Sequence, residues 1–433
     1  MSQHALPAGD RRFETVRAAG GVTEYRHTGN GLTVLLLPEA SASVVAFQVT
    51  YRVGSRNEGT GLTGATHLLE HLMFKGSERF NRDLGTSVFQ TLQAVGGQIN
   101  ATTWYDRTNY YAMLPADHLA LAVEIEADRM RGARVRDEDL AGERTVVLNE
   151  LDRGENQPLR RLLHAVHATA FHAHPYRHPV IGWRGDVEAV SAAGLRSFYD
   201  TYYWPRHATA AVVGAFDPEA TLALLDAHFG GIEAGPEPPA TTVTPEPPQR
   251  GERRVTVKQA GELGAVLLAW KAPHGLDADA DALDVLVQIL AAGKSARLYR
   301  RLVDTGRATS TWAYFPRLRD PGLFFVYAAL APLTLHADIE TELKAALAEI
   351  AADGVTDAEL ERARRQVVAD EAFGRDGPMA AVSQLNEAVA LGDWTLFAER
   401  RDRLAAVTGE AVQATAARLA DDDRLTVGWY VPE

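Results

Sequence analysis

The sequence contains no cysteine. That absence removes disulfide cross-links, thiolate nucleophiles and thiolate metal sites together, so any chemistry must come from His, Asp, Glu, Ser, Lys, Tyr or a bound cofactor. Long apolar runs are missing too: stretches such as Ala265 to Trp270 fall far short of the roughly 18 residues a membrane helix needs. No membrane association is expected. Met1 to Arg12 has no apolar core of the kind a secretory leader carries. The chain as given is therefore expected in the cytoplasm, although a periplasmic form stripped of its leader would carry the same residues. Positive charge is the third scarcity, with 44 Lys and Arg against 57 Asp and Glu and a formal net charge of −13. An acidic surface repels phosphate backbones, which argues against nucleic acid, and over long range it favours neutral or basic partners such as basic peptides.

What is present is enough for real cores: 433 residues, 46% of them hydrophobic, a length that allows two or three domains and a composition that excludes disorder and collagen. Residues 231–252 read as an extended connector, with Pro236, Pro238, Pro239, Pro245, Pro247 and Pro248 among several glutamates. This divides the chain into halves, 1–230 and 253–433, and the halves read alike. Strand patterns at Leu32–Leu37 and Val44–Tyr51 lead into a helix from about Leu62 to Phe74; those at Arg254–Lys258 and Ala265–Trp270 lead into one from about Asp279 to Leu290. Thr209–Val213 and Leu425–Val431 close the halves as strands, with helices at Pro218–Phe229 and Glu410–Leu419. The pattern predicts an α+β fold of two similar halves, each a largely antiparallel sheet covered on one face by helices, as from duplication of one unit.

The sharpest chemical signal is His67-Leu68-Leu69-Glu70-His71. On a helix the imidazoles at i and i+4 lie one turn apart on one face, the spacing that two ligands of one metal ion require. Glu70 shares that side and can reach a water beside the metal without ligating it. Two hydrogen-bonded core histidines are the plainer reading, so a third ligand decides the matter. The stretch from Asp137 to Leu151 offers one. With Asp137 as helix N-cap, Leu140, Val147 and Leu151 form an apolar stripe, and Glu143 and Glu150 fall on or beside it. Carboxylates on an inward stripe need a partner, because desolvating an ionised carboxylate costs several kcal/mol unless it is paired or coordinates a metal. A solvated acidic face is the alternative.

Taken together the chain resembles the inverted-zincin peptidases, the pitrilysin and insulinase family, in the branch that includes the mitochondrial processing peptidase. The stretches that carry the resemblance are His67 to His71, Glu143-Arg-Thr-Val-Val-Leu-Asn-Glu150, Asn100-Ala-Thr-Thr103, Asp106-Arg-Thr-Asn-Tyr-Tyr111, His174 to Gly182, and Tyr202-Tyr-Trp-Pro205 with Val213 to Pro218. It implies a zinc endopeptidase that encloses peptides or extended polypeptide segments in a chamber, with His67, His71 and Glu150 as Zn2+ ligands, Glu70 as general base and Glu143 as an auxiliary carboxylate. Asn100 and Ala101 match the family's edge strand, to which substrate backbone adds as an extra strand. Where the family usually has an aromatic after that alanine, this chain has Thr102.

The second half departs further. Ala280 to Leu290 has no histidine, so one metal site per chain is expected. Single-chain and homodimeric relatives also supply an arginine and, seven residues later, a tyrosine from this half. Registered on Asp320-Pro-Gly-Leu-Phe324, those positions fall near Val303 and near Thr309 or Ser310; Arg307 and Tyr314 have the spacing only after a register shift of about five residues. The resemblance therefore implies the zinc-carrying subunit of a two-subunit enzyme, whose homologous partner provides the Arg and Tyr, with a homodimer as the other arrangement. A non-catalytic structural or assembly subunit of the same fold is the alternative function.

Two other signals are set aside. Gly59-Thr-Gly61-Leu-Thr-Gly64 matches a dinucleotide fingerprint, but the polar loop Gly54 to Glu58 spoils the tight strand-to-glycine turn and no parallel βαβ repeat follows. The histidines at 164, 167, 172, 174 and 178 have no carboxylate at ligand spacing within the cluster and read as surface or hydrogen-bonded residues.

Overall fold

Seven strands of the first half, four of them consecutive, assemble into one sheet. In the computed structural model, which describes residues 12–41, 43–237 and 243–433, these strands are β1 (Phe13–Ala19), β2 (Val22–His27), β3 (Thr33–Pro38), β4 (Val44–Tyr51), β5 (Gln98–Thr103), β6 (Thr108–Pro115) and β7 (Ala208–Gly214). Met1 to Arg11, and Pro238 and Pro239 of the connector, lie outside the described residues. The sheet order is β1-β2-β3-β7-β4-β6-β5. The second half contributes β8 (Arg253–Gln259), β9 (Ala265–Ala272), β10 (Ala308–Tyr314), β11 (Gly322–Leu330) and β12 (Leu425–Pro432), in the order β10-β11-β9-β12-β8.

The two sheets are copies of one topology. Without the β1–β2 hairpin the first runs β3-β7-β4-β6-β5, and the second, read from its other edge, runs β8-β12-β9-β11-β10. Each holds one parallel pair, β3 with β7 and β8 with β12, and every other pairing is antiparallel. This is the α+β, largely antiparallel, two-half architecture that the sequence pattern predicts.

Strands β4 and β7 are apolar almost throughout and buried along their length. Such strands need cover on both faces. One face of the first sheet packs on helices of its own half, Leu119–Gly132, Ala192–Tyr202 and Pro218–Phe229. The other face is covered from the second half, where Val382, Leu385 and Val389 of the helix Pro378–Leu391 meet Val22, Leu35, Ala46 and Val213. The exchange is mutual. The helix Pro158–Ala170 of the first half places Leu162, Val166 and Ala170 against Leu267, Ala269 and Phe325 of the second sheet. A polar network also joins the halves: Asp320 accepts from Arg56 Nε at 2.5 Å and lies 2.9 Å from His174 Nε2, while its own N–H donates to Tyr176 Oη at 3.2 Å and Arg319 N donates to Asp106 at 3.0 Å.

Element boundaries follow local chemistry. The helix expected from Leu62 to Phe74 spans only Ala65–Leu72, because Gly64 sits at φ 85°, ψ 0°, a left-handed conformation that cannot propagate a right-handed helix backwards. Asp137 opens its helix rather than capping it, the cap position being Arg136. The hairpin β1–β2 is additional to the elements read from the sequence. Its first strand buries Phe13 and exposes the five residues that follow, so no alternation marks it.

Candidate metal centre

The motif helix Ala65–Leu72 is amphipathic in a way that fixes its chemistry. Ala65, Leu68, Leu69 and Leu72 are buried, while His67, Glu70 and His71, at i, i+3 and i+4, share the opposite, half-buried face. Leu68 and Leu72 join Leu140, Val147 and Leu151 of the long helix Asp137–Glu155 in one apolar cluster. Each fully buried leucine contributes about 1.5–3 kcal/mol. That packing sets the rotation of both helices. Glu143 and Glu150 stand four before and three after Val147, which brings them to the edge of the same interface.

The start of the motif helix is held by a residue outside the motif. Gly64 has no side chain to cap with; instead the buried carboxylate of Glu58 accepts from Gly64 N at 2.8 Å and Thr66 N at 2.7 Å. Burial pushes the Glu58 carboxyl up to about 8, against those two N–H groups.

One ligand atom each from His67, His71 and Glu150 lies within 4.8 Å of the others, and among the described residues no other such group of His, Asp and Glu occurs. His67 Nε2 is 3.7 Å from Glu150 Oε2, close to the roughly 3.3 Å between neighbouring ligands of tetrahedral zinc bonded at about 2.0–2.1 Å. Burial, with His71 and Arg160 nearby, pushes His67 down to about 3. The ring is therefore neutral at pH 7, the form that offers a lone pair to a metal. Its Nδ1 is a buried polar atom that finds no hydrogen-bond partner among the described residues. Two imidazoles and a carboxylate so arranged fit a divalent ion that takes nitrogen and oxygen ligands, and leave its remaining coordination open.

The surrounding side chains orient this triad. His71 Nδ1 lies 2.9 Å from Glu143 Oε2, and the other carboxylate oxygen of Glu143 pairs with Lys75. Glu70 does not join the triad; it accepts from Thr103 Oγ1 at 2.5 Å. Burial raises the Glu70 carboxyl above its ordinary value, opposed by that hydrogen bond and by His71. Beside the triad opens a cavity of about 760 Å³ lined by Glu70, His71, Lys75, Asn100 and Glu143, with the stacked rings of Phe74 and Phe89 on its wall.

Asn100 and Ala101 lie on β5, the free edge of the first sheet, and Thr103, which binds Glu70, ends that strand. Arg307 and Tyr314 are not brought together. They bracket β10, roughly 23 Å apart along an extended strand, and Arg307 pairs with Glu342 at 2.6 Å. The histidines at 167, 174 and 178 are buried in hydrogen bonds to Tyr176 O, Asp320 and Pro179 O, and His172 is exposed. Sequence reasoning missed Glu58, Lys75, Thr103 and Arg160. Of these only Lys75, four residues after His71, has a helical spacing that could have signalled its place.

Residues 33–183 match the family described as "Insulinase (Peptidase family M16)" and residues 189–367 the "Peptidase M16 inactive domain". An uncharacterized zinc protease of Streptomyces coelicolor is 30% identical over 93% of this chain and 88% of its own length. A probable mitochondrial-processing peptidase subunit beta of Arabidopsis thaliana is 26% identical over 93% of this chain and 77% of its own. The crystal structure of a protease from Helicobacter pylori superposes with a TM-score of 0.89 at 26% identity, covering 94% of this chain and 99% of that one. The chain belongs to the M16 peptidase family.

Proposed function

We propose that this chain is the zinc-carrying subunit of an endopeptidase that hydrolyses peptides or extended polypeptide segments within a chamber. The observation that carries the reading is the meeting of His67, His71 and Glu150 within 4.8 Å, with Glu70 beside them and not among them. Bound zinc would polarise the scissile carbonyl and acidify a nearby water to a pKa of roughly 7. Glu70, half-buried and with a raised affinity for protons, takes a proton from the attacking water and delivers it to the leaving nitrogen. Glu143 holds His71 by Nδ1, so that Nε2 is the ring nitrogen left for the metal. Substrate backbone adds to the open edge of β5 at Asn100 and Ala101, which carries it past Thr103 and Glu70.

A homologous partner subunit completes the site, either a different chain with the Arg–Tyr pair or a second copy. Support comes from the pairing of Arg307 with Glu342, which holds it away from the site, and from the relative named as a subunit beta. The boundaries that go with this reading are a metal-bearing half to residue 230 and a second half from residue 253. Zinc analysis and a quenched-peptide assay, on the chain alone and with candidate partners, test it. Stoichiometric zinc with turnover that rises on adding the partner is expected; full turnover by the isolated chain contradicts a partner of different sequence and leaves only the second copy, and Glu70→Gln that loses zinc rather than hydrolysis contradicts the roles. The second reading, a non-catalytic assembly subunit, is favoured by the match of residues 189–367 to an inactive domain. It predicts that no partner elicits hydrolysis.

A further inference from the structure

One turn beyond Glu150, the helix Asp137–Glu155 carries a buried glycine, Gly154. A Cβ there would stand 2.7 Å from Nη1 of Arg160 and 2.8 Å from its Cδ, so any side chain at this position would push Arg160 off its seat against the helix. Residues i and i+4 share a helix face, so the seat of this guanidinium lies on the same face as Glu150, one turn further along. Its charge also acts on His67 of the metal triad, helping burial to lower that ring.

Among the described residues Arg160 has no counter-ion. Arg161 and Arg184 approach Glu155 at 3.1 and 3.5 Å, whereas among the described residues no carboxylate lies within ion-pair distance of Arg160. All three arginines, with Lys258 and Glu155, line a cavity of about 410 Å³ whose apolar wall includes Ile181. Four cations thus line the cavity with one carboxylate; Arg184 also pairs with Asp152 and Glu188, and Lys258 with Glu433, which leaves Arg160 as the unmatched charge. His164, in the same wall, adds no charge near neutrality, because burial and the neighbouring Arg160 and Arg161 push it down to about 4. A half-buried guanidinium without a partner is costly unless a ligand brings the anion.

We propose that this cavity is a substrate subsite for a carboxylate of the bound peptide, either an Asp or Glu side chain or the C-terminus, with Arg160 as its contact. The inference rests on the peptidase reading above and gives it a substrate class. It opposes the direction set by the net charge of −13, which acts over long range and is screened beyond about 8 Å at physiological ionic strength. Contact with Arg160 acts inside that distance, and a planar guanidinium suits a carboxylate better than any other common anion of peptides.

The test uses fluorescent peptides that differ only by Glu, Gln or Lys at successive positions, each as free acid and C-terminal amide. Their binding to the Glu70→Gln chain is followed by anisotropy, and their cleavage by the unmutated chain with its partner. One position, or the free C-terminus, is expected to favour the carboxylate by about tenfold. That preference should shrink as salt rises, and Arg160→Glu should reverse it in favour of Lys. Should Arg160→Glu fail to fold, Arg160→Gln and the salt series on the unmutated chain decide. A preference that is absent, insensitive to salt or unchanged by substitution at Arg160 overturns the subsite. Binding that discriminates without any cleavage refutes the peptidase reading and leaves the subsite standing; cleavage without discrimination refutes the subsite alone.

Discussion

His71 Nδ1 and Glu143 Oε2 lie 2.9 Å apart, and Glu143 is in turn paired with Lys75. The carboxylate therefore fixes which ring nitrogen of His71 can point at a metal. Glu143→Gln is expected to weaken zinc binding by about 10–100-fold, the usual cost of losing a carboxylate behind a metal-bound imidazole. Competition against a chromophoric chelator measures it. Unchanged affinity would mean that Glu143 serves only Lys75.

Glu58 should behave as part of the motif helix despite lying six residues before Gly64. Glu58→Ala leaves the Gly64 and Thr66 N–H groups unpaired and is expected to lower stability by about 1–3 kcal/mol. Denaturant unfolding gives the number. A loss well under 1 kcal/mol would show that water replaces the carboxylate without cost.

The exchanged helices should bind the halves into one cooperative unit. Leu385, fully buried where the second half covers the first sheet, should cost about 2–5 kcal/mol as Leu385→Ala. Limited proteolysis of that variant should release both halves together. Release of an intact, protected first half would contradict mutual support.

Asp320 predicts an acid limb in the stability profile. Burial opposes its ionisation, but hydrogen bonds from His174 and Arg56 outweigh this and hold its carboxyl well below the usual carboxylate range. The unfolded chain then binds the proton first. The stabilisation is complete above about pH 4, the unfolded value, and is lost as pH falls toward the depressed folded value. Asp320→Asn should flatten that limb in thermal melts between roughly pH 5 and pH 3, and an unchanged slope would assign the acid sensitivity elsewhere.

Much of this protein is legible because its signals are local. Val44–Tyr51 and Pro218–Phe229 are bounded in the structure as their patterns predict, and the repeated strand–strand–helix order foretells the repeated sheets. The triad is legible because His67 and His71 share a helix face, while the stripe Leu140, Val147 and Leu151 brings Glu150 to it. What escapes the sequence is long-range. Nothing in Pro378–Leu391 says that it packs on the first sheet rather than on its own, since an apolar stripe names no partner. Glu58 reads as loop polarity, and Arg160 as one more surface arginine, until the backbone of Gly64 and the bare face of Gly154 are placed against them.

The central claim is that three side chains from two helices grip one divalent ion with Glu70 left free. Anomalous diffraction at the zinc edge from zinc-loaded crystals tests it most directly. A single peak is expected about 2.0–2.2 Å from His67, His71 and Glu150 together, with Glu70 outside the coordination sphere. A peak bonded to Glu70 in place of Glu150, or none at this position in crystals grown with excess zinc, would contradict it.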